Sequence, residues 1–150
     1  VAEAPATALI DAARAAAANA YAPYSNFAVG AAVLLADGAI IAGANFENAS
    51  YGLSLCAETA ALAAANTAGR LRDVVAIGVV GGVPGSDGHL SGTVPVRPCG
   101  RCRQVLNETA QLGGRDILVH CASADGSIIE RHLISDLLPH AFGPADLAKP

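Results

Sequence analysis

Two short stretches of this 150-residue chain concentrate the residue types that chemistry needs. One is Pro98-Cys99-Gly100-Arg101-Cys102. Two residues between cysteines let both sulfurs face one ion, and soft thiolates suit zinc. The other is Cys56-Ala57-Glu58. Each stretch precedes or opens a segment with helical character, and the unpaired N–H groups of a helix start stabilise thiolate. Together they offer three thiolates, Cys56, Cys99 and Cys102, and one carboxylate, Glu58. Three protein ligands leave a tetrahedral position open, as catalytic zinc sites do. Glu58, two residues from Cys56, is placed to pass a proton between a zinc-activated water and a substrate nitrogen.

Each piece has a plainer reading. A C-x-x-C alone is equally a redox dithiol, half of a structural zinc site, or two small buried residues. A thioredoxin-like site wants a strand just before the motif, and here a long Gly/Pro-rich stretch precedes it. Glu58 alone is a first-turn glutamate favourable to the helix dipole. A closed structural site needs a fourth ligand. Cys121, the remaining cysteine, falls inside an expected strand and reads as buried core. His89, His120, His132 and His140 show no ligand spacing. Three thiolates and one zinc ion carry a net negative charge, which works against acidifying a bound water. The neighbouring Arg101 or Arg103 is expected to offset it by hydrogen bonding to the sulfurs.

The segments that must position these residues follow from periodicity. Residues 6–20 are Ala-rich, with Leu9, Ile10, Ala13 and Ala17 at helical spacing, and Pro23 stops the helix. Apolar runs 28–36 and 39–44 flank Asp37-Gly38, a hairpin signal. Residues 56–66 read as a helix ending near Gly69. Residues 74–80 are a β-branched run, read as a buried strand. Residues 81–98 are rich in Gly, Pro and Ser and read as a loop. Residues 100–112 form a helix closed by Gly113-Gly114. Residues 117–121 and 127–131 are strands around Asp125-Gly126, and residues 133–138 supply one or two helical turns. The order is α-β-β-α-β-α-β-β, an α/β chain whose sheet is covered by helices on both faces.

Bulk properties narrow the partners. The net charge of −4, without any Lys/Arg block, argues against duplex nucleic acid and an anionic membrane surface. Aromatic residues are 4% of the chain, too few for a single-strand stacking groove. No apolar run is long enough to span a bilayer, and the first residues do not read as a signal peptide. Cysteine without an export signal points to thiol chemistry in the cytoplasm rather than to structural bridges.

Ligand-x-Glu followed later by P-C-x-x-C is the pattern of zinc nucleobase deaminases. Within that group the chain resembles the small homotetrameric cytidine deaminases of nucleoside salvage. Tyr21-Ala22-Pro23-Tyr24-Ser25-Asn26-Phe27-Ala28-Val29-Gly30-Ala31-Ala32 resembles their N-terminal signature. Asn45-Phe46-Glu47-Asn48-Ala49-Ser50-Tyr51-Gly52 resembles their substrate segment. Leu137-Leu138-Pro139-His140-Ala141-Phe142-Gly143-Pro144-Ala145-Asp146-Leu147 resembles their tail. The likeness covers nearly the whole chain.

It implies one catalytic domain over residues 1–150, a three-layer α-β-α fold with a mixed five-stranded sheet, and one zinc per subunit. It further implies hydrolysis of a cyclic amidine C–N bond, turning cytidine and 2′-deoxycytidine into uridine and 2′-deoxyuridine with release of ammonia. Zinc is then bound by Cys56, Cys99 and Cys102, and Glu58 shuttles protons. Asn45 and Glu47 bond the ribose 3′-hydroxyl, Phe27 packs on the nucleoside, and the Ala57 backbone reads the base. Tyr51 and Phe142 reach a neighbouring subunit's site. Blasticidin-type deaminases share the zinc motifs and are the nearest rival; a zinc-stabilised binding module without activity is a more distant one. The chain departs from the pattern at Thr59, where many members carry an arginine that supports a zinc thiolate. Its stretch 82–97 is also long for the small members.

Overall fold

The computed structural model describes residues 3–148. Helix α1 (Glu3–Ala17) leads into the hairpin β1 (Ala28–Leu35) and β2 (Ile40–Ala44). Helix α2 (Ala57–Thr67) returns to β3 (Val74–Pro84), which pairs with the short β4 (Leu90–Ser91). Helix α3 (Gly100–Gly113), β5 (Leu118–Ala122), β6 (Ile129–Leu133) and α4 (Ile134–Leu137) complete the order. The mixed sheet runs β2-β1-β3-β5-β6, with β4 appended to β3. Strands β1 and β3 are antiparallel and β3 and β5 parallel, so β2, β3 and β5 all point the same way. Helix α3 is the crossover that the parallel neighbours β3 and β5 require, and α2 carries the chain from β2 past β1 to β3.

The alternation of side chains along the strands divides the core into two layers. Leu9, Ile10 and Ala13 of α1 pack on Ala32, Ala76, Val80 and Ala122 on one face. On the other face Ala57, Ala61, Leu62 and Ala65 of α2 and Leu106 of α3 meet Ala31, Val33, Ile77, Val79 and Val119. The abundance of small residues sets how closely these layers approach. A Cβ on Gly30 would lie 1.7 Å from the Ala13 carbonyl oxygen, and one on Gly43 would lie 2.5 Å from the Ala61 nitrogen. The backbones of α1 and α2 therefore lie almost directly on the sheet. Cys121 is fully buried in the α2/α3 layer, as its strand position implied.

This core is aliphatic. Every tyrosine and phenylalanine of the chain is exposed: Tyr21, Tyr24, Phe27, Phe46, Tyr51 and Phe142. Among the described residues no helix is long and apolar enough to cross a membrane.

The sequence expectations differ from the structure at two places. Helix α1 ends at Ala17, well before Pro23. Tyr21 is claimed by the segment after β2, donating its N–H to the Asn45 carbonyl and accepting from Glu47 N–H. The stretch 81–98 is not wholly loop. Strand β3 continues to Pro84 and pairs with β4 through Val83 and Pro84, closed by a turn in which Gly85 bonds His89. Cross-strand pairing overrides a Gly/Pro composition that argues against strand.

Candidate active site

The three parallel strands end on the same edge of the sheet, where ligands of open α/β sheets bind. Asn45 and Glu47 follow β2 directly. Cys56 is the N-cap of α2, and Cys99 is the N-cap of α3 with Cys102 in its first turn. The loop before α3 is held against the end of β5 by Val96 N–H on the Ala122 carbonyl. Two helix starts thus meet at one point, as their sequences imply.

The sulfurs of Cys56, Cys99 and Cys102 all lie within 4.8 Å of one another. Cys56 Sγ and Cys99 Sγ are 3.7 Å apart. Zinc–sulfur bonds of about 2.3 Å at tetrahedral angles need sulfurs about 3.8 Å apart, so the set fits one zinc ion with little adjustment. The three belong to no disulfide. No other group of three or more potential metal ligands occurs among the described residues.

Charge at this point is finely placed. Burial pushes the Cys56 and Cys102 thiols up, and the Glu58 carboxylate beside them adds to both. Burial also works against ionising Cys99. There the Cys102 backbone N–H and the Cys56 thiol outweigh it, and Cys99 is the thiol held below its ordinary value. Glu58 is 3% exposed, and burial pushes its carboxyl up. A carboxyl raised in this way holds a proton nearer to neutral pH, as an acid–base group must.

Cys56, Ala57, Glu58 and Cys99 line a cavity of about 260 Å³ together with Asn45 and Glu47. A second cavity of about 320 Å³ shares Glu47 and Ser54 with it and is lined by Tyr24 and Tyr51. Cys56, Cys99, the buried Glu58, Asn45 and Glu47 thus line one small cavity, while Cys102 completes the thiol cluster outside that lining.

The family model for the cytidine and deoxycytidylate deaminase zinc-binding region matches residues 4–115. The chain belongs to the cytidine deaminase family.

Two relatives match along most of their own length. The cytidine deaminase of Halalkalibacterium halodurans is 49% identical over 129 residues, covering 86% of this chain and 87% of that protein. The Mycobacterium tuberculosis cytidine deaminase is 48% identical over 134 residues, covering 89% and 86%. Among solved structures, the cytidine deaminase of Burkholderia pseudomallei superposes with a TM-score of 0.76 at 45% identity. It covers 91% of this chain and 98% of that one.

The deaminase brings some of the sequence-predicted residues together and leaves others outside the cavity. The Asn45 amide is anchored on the backbone at the start of β1, which uses one of its two N–H donors and one oxygen lone pair. Its Oδ1 accepts from Val29 N–H at 2.9 Å, and its Nδ2 donates to the Phe27 carbonyl at 3.0 Å. Glu47 Oε1 accepts from the N–H groups of Tyr24 and Ser25; the Ser25 side chain first, then the Ser25 and Tyr24 N–H groups, hold its carboxyl below the usual range. The Phe27 ring lies against Gly81, on the sheet face that carries Val29. Tyr51 is 74% exposed and stacks edge-on with Tyr24, ring centroids 5.8 Å apart. Phe142 is 60% exposed, its carbonyl held by Gln104 and Asn107 of α3.

The expected arginine partners of the thiolates are a correction. Arg103 donates to the carbonyls of Pro98 and Leu137, fastening the loop before α3 to α4. Arg101 is exposed and reaches only the Ser54 carbonyl, at 3.4 Å. Both guanidiniums are drawn to carbonyl oxygens, while the Cys102 sulfur is buried. The Thr59 hydroxyl is the group that meets a thiol, 3.3 Å from Cys102 Sγ. Sequence reasoning saw Thr59 only as a missing arginine. It missed Arg97, which lines the cavity and forms a two-bond pair with Glu130 at 2.9 and 2.6 Å. An arginine just before the P-C-x-x-C gives no signal in a single sequence that a strand distant in the chain will capture it.

Proposed function

We propose that this chain hydrolyses cytidine and 2′-deoxycytidine to uridine and 2′-deoxyuridine, releasing ammonia, as a single catalytic domain. The reading rests on the buried Glu58, which lines one cavity with Asn45, Glu47 and two of the three converging thiols, Cys56 and Cys99. When bound, zinc supplies a Lewis acid that makes water a nucleophile near neutral pH.

The protein's own groups do the rest. Glu58 takes the proton of the attacking water, gives it to N3 of the pyrimidine, and carries a second proton to the departing amino group. Ala57 lines the cavity, and its N–H, one of the donors without an intrahelical partner in the first turn of α2, reads the base in this mechanism. Asn45 and Glu47 take the ribose 3′-hydroxyl, with Glu47 already steadied by two N–H groups and able to accept from the sugar. Phe27 packs on the nucleoside.

The assembly in this reading is a homotetramer in which Tyr51 and Phe142 complete a neighbour's site. Exposure of every aromatic ring supports it, since such rings gather at interfaces. It works in the cytoplasm, where thiols stay reduced.

The test follows the loss of cytidine absorbance with the purified zinc protein. Turnover of cytidine, abolished by a chelator and restored by zinc, is the expected result. A fully zinc-loaded protein that leaves cytidine and deoxycytidine intact would overturn the reading.

A further inference from the structure

We propose that Thr59 is a positioning residue for zinc, its hydroxyl donating to the Cys102 thiolate as a neutral stand-in for a cationic partner. The proposal rests on the reading of Cys56, Cys99 and Cys102 as zinc ligands.

Thr59 stands three residues after Cys56, so both lie on the side of α2 that faces α3. Its Oγ1 is 3.3 Å from Cys102 Sγ. A sulfur bound to metal has given up its proton, so in that pair the hydroxyl is the donor. The three ligands differ in what else can reach them. Cys99 is exposed and takes the Cys102 backbone N–H. Cys56 is half-buried. Cys102 is fully buried, out of reach of solvent, so the remaining lone pairs of its sulfur must be met by protein donors or go unmet. Among the described residues Thr59 carries the one side-chain hydroxyl bonded to it, and the Glu58 carboxyl also lies against it. Arg101 and Arg103, the neighbouring cations, bond carbonyl oxygens instead.

A neutral donor differs from a guanidinium in one respect that matters here. It lowers electron density on a single sulfur without cancelling the net negative charge of the thiolate set. Thr59 also joins α2, which carries Cys56, to α3, which carries Cys99 and Cys102. Partners of this kind, bonded to a metal ligand rather than to the metal, typically change metal affinity 10- to 100-fold when removed.

The experiment compares Thr59→Val, which keeps the shape and loses the hydroxyl, with Thr59→Ser, which keeps the hydroxyl and loses the methyl. Zinc affinity is measured by chelator competition. The thiolate-to-metal charge-transfer band is measured with Co²⁺ bound in place of zinc. In Thr59→Val the zinc dissociation constant is expected to rise about 10- to 100-fold. Its Co²⁺ band is expected to move to longer wavelength, because an unbonded thiolate is easier to oxidise. Thr59→Ser is expected to stay with the wild type on both measures. If Thr59→Val fails to fold, Thr59→Ala against Thr59→Ser makes the same comparison in smaller side chains.

A valine protein with wild-type affinity and band position would overturn the proposal. So would a serine protein that is impaired while valine is not, since that pattern belongs to shape. Failure of the underlying zinc reading looks different: wild-type protein with Co²⁺ would then show no thiolate charge-transfer band at all.

Discussion

Replacing Glu58 with glutamine changes one oxygen to an amide nitrogen at a position that is 3% exposed. The side chain keeps its length and volume, so the α2 layer has no cavity to fill and no added atom to absorb. What disappears is the ability to hold and release a proton. Burial raises the Glu58 carboxyl, which keeps its acid form within reach near neutral pH, and glutamine cannot take that role. Acid–base catalysis by one positioned group is worth about 10²- to 10⁴-fold. At 1.36 kcal/mol per tenfold, that is about 2.7–5.4 kcal/mol of barrier. Glu58 is asked to move two protons, so the loss is expected near the upper end. Glu58 is not among the three converging thiols, so zinc content should remain one per chain. The assay is kcat from cytidine absorbance, with zinc measured on the same sample and KM taken from the same series. Glutamine protein with full zinc and kcat within tenfold of wild type would refute the assignment. Loss of zinc would refute the placement of Glu58 outside the metal's ligands.

Two further substitutions separate structure from chemistry. Arg103→Ala removes two charged donors from the carbonyls of Pro98 and Leu137. It should cost about 1.5–3 kcal/mol and lower Tm by about 3–12 °C in thermal unfolding. Arg101→Ala should stay within about 0.5 kcal/mol, with zinc affinity unchanged; weakened zinc binding there would restore a role for arginine at the thiolates. A fourth prediction concerns His120, which is buried in β5. Burial first, and Arg131 second, hold its imidazole below the usual value. Protonation therefore costs more in the folded than in the unfolded chain. Its contribution is present above the unfolded pKa of about 6.5 and is lost as pH falls through the lowered folded value. In His120→Gln the decline of Tm on acidification below that pH should be shallower than in wild type; an unchanged slope would assign the decline to other groups.

Much of the site was legible because its residues are tied to helix starts. Cys56 and Cys99 announce themselves by type and spacing, and helix periodicity places each at the N-terminus where the structure has it. The aliphatic strands were equally legible, since alternation and β-branching leave few other options for residues 28–36 and 74–80. Most of the failures share a cause. The early end of α1, the diversion of Arg103 to α4 and the capture of Arg97 by Glu130 are all decided by partners distant in sequence. No local pattern encodes them. Thr59 is the instructive case: at the level of sequence it is an absence, and only the packing of α2 on α3 reveals what its hydroxyl can reach.

The outward placement of every aromatic ring also fixes what light can report about this protein. With no tryptophan and three tyrosines, all at the surface, its interior contributes little near-ultraviolet signal. Collapse of the core would pass almost unseen by tyrosine emission, and unfolding is better followed through the backbone. Tyr24 and Tyr51 border the second cavity, so their emission instead becomes a gauge of what occupies or covers the site's rim. The weak protein background leaves the nucleoside chromophore as the main absorber in a reaction mixture.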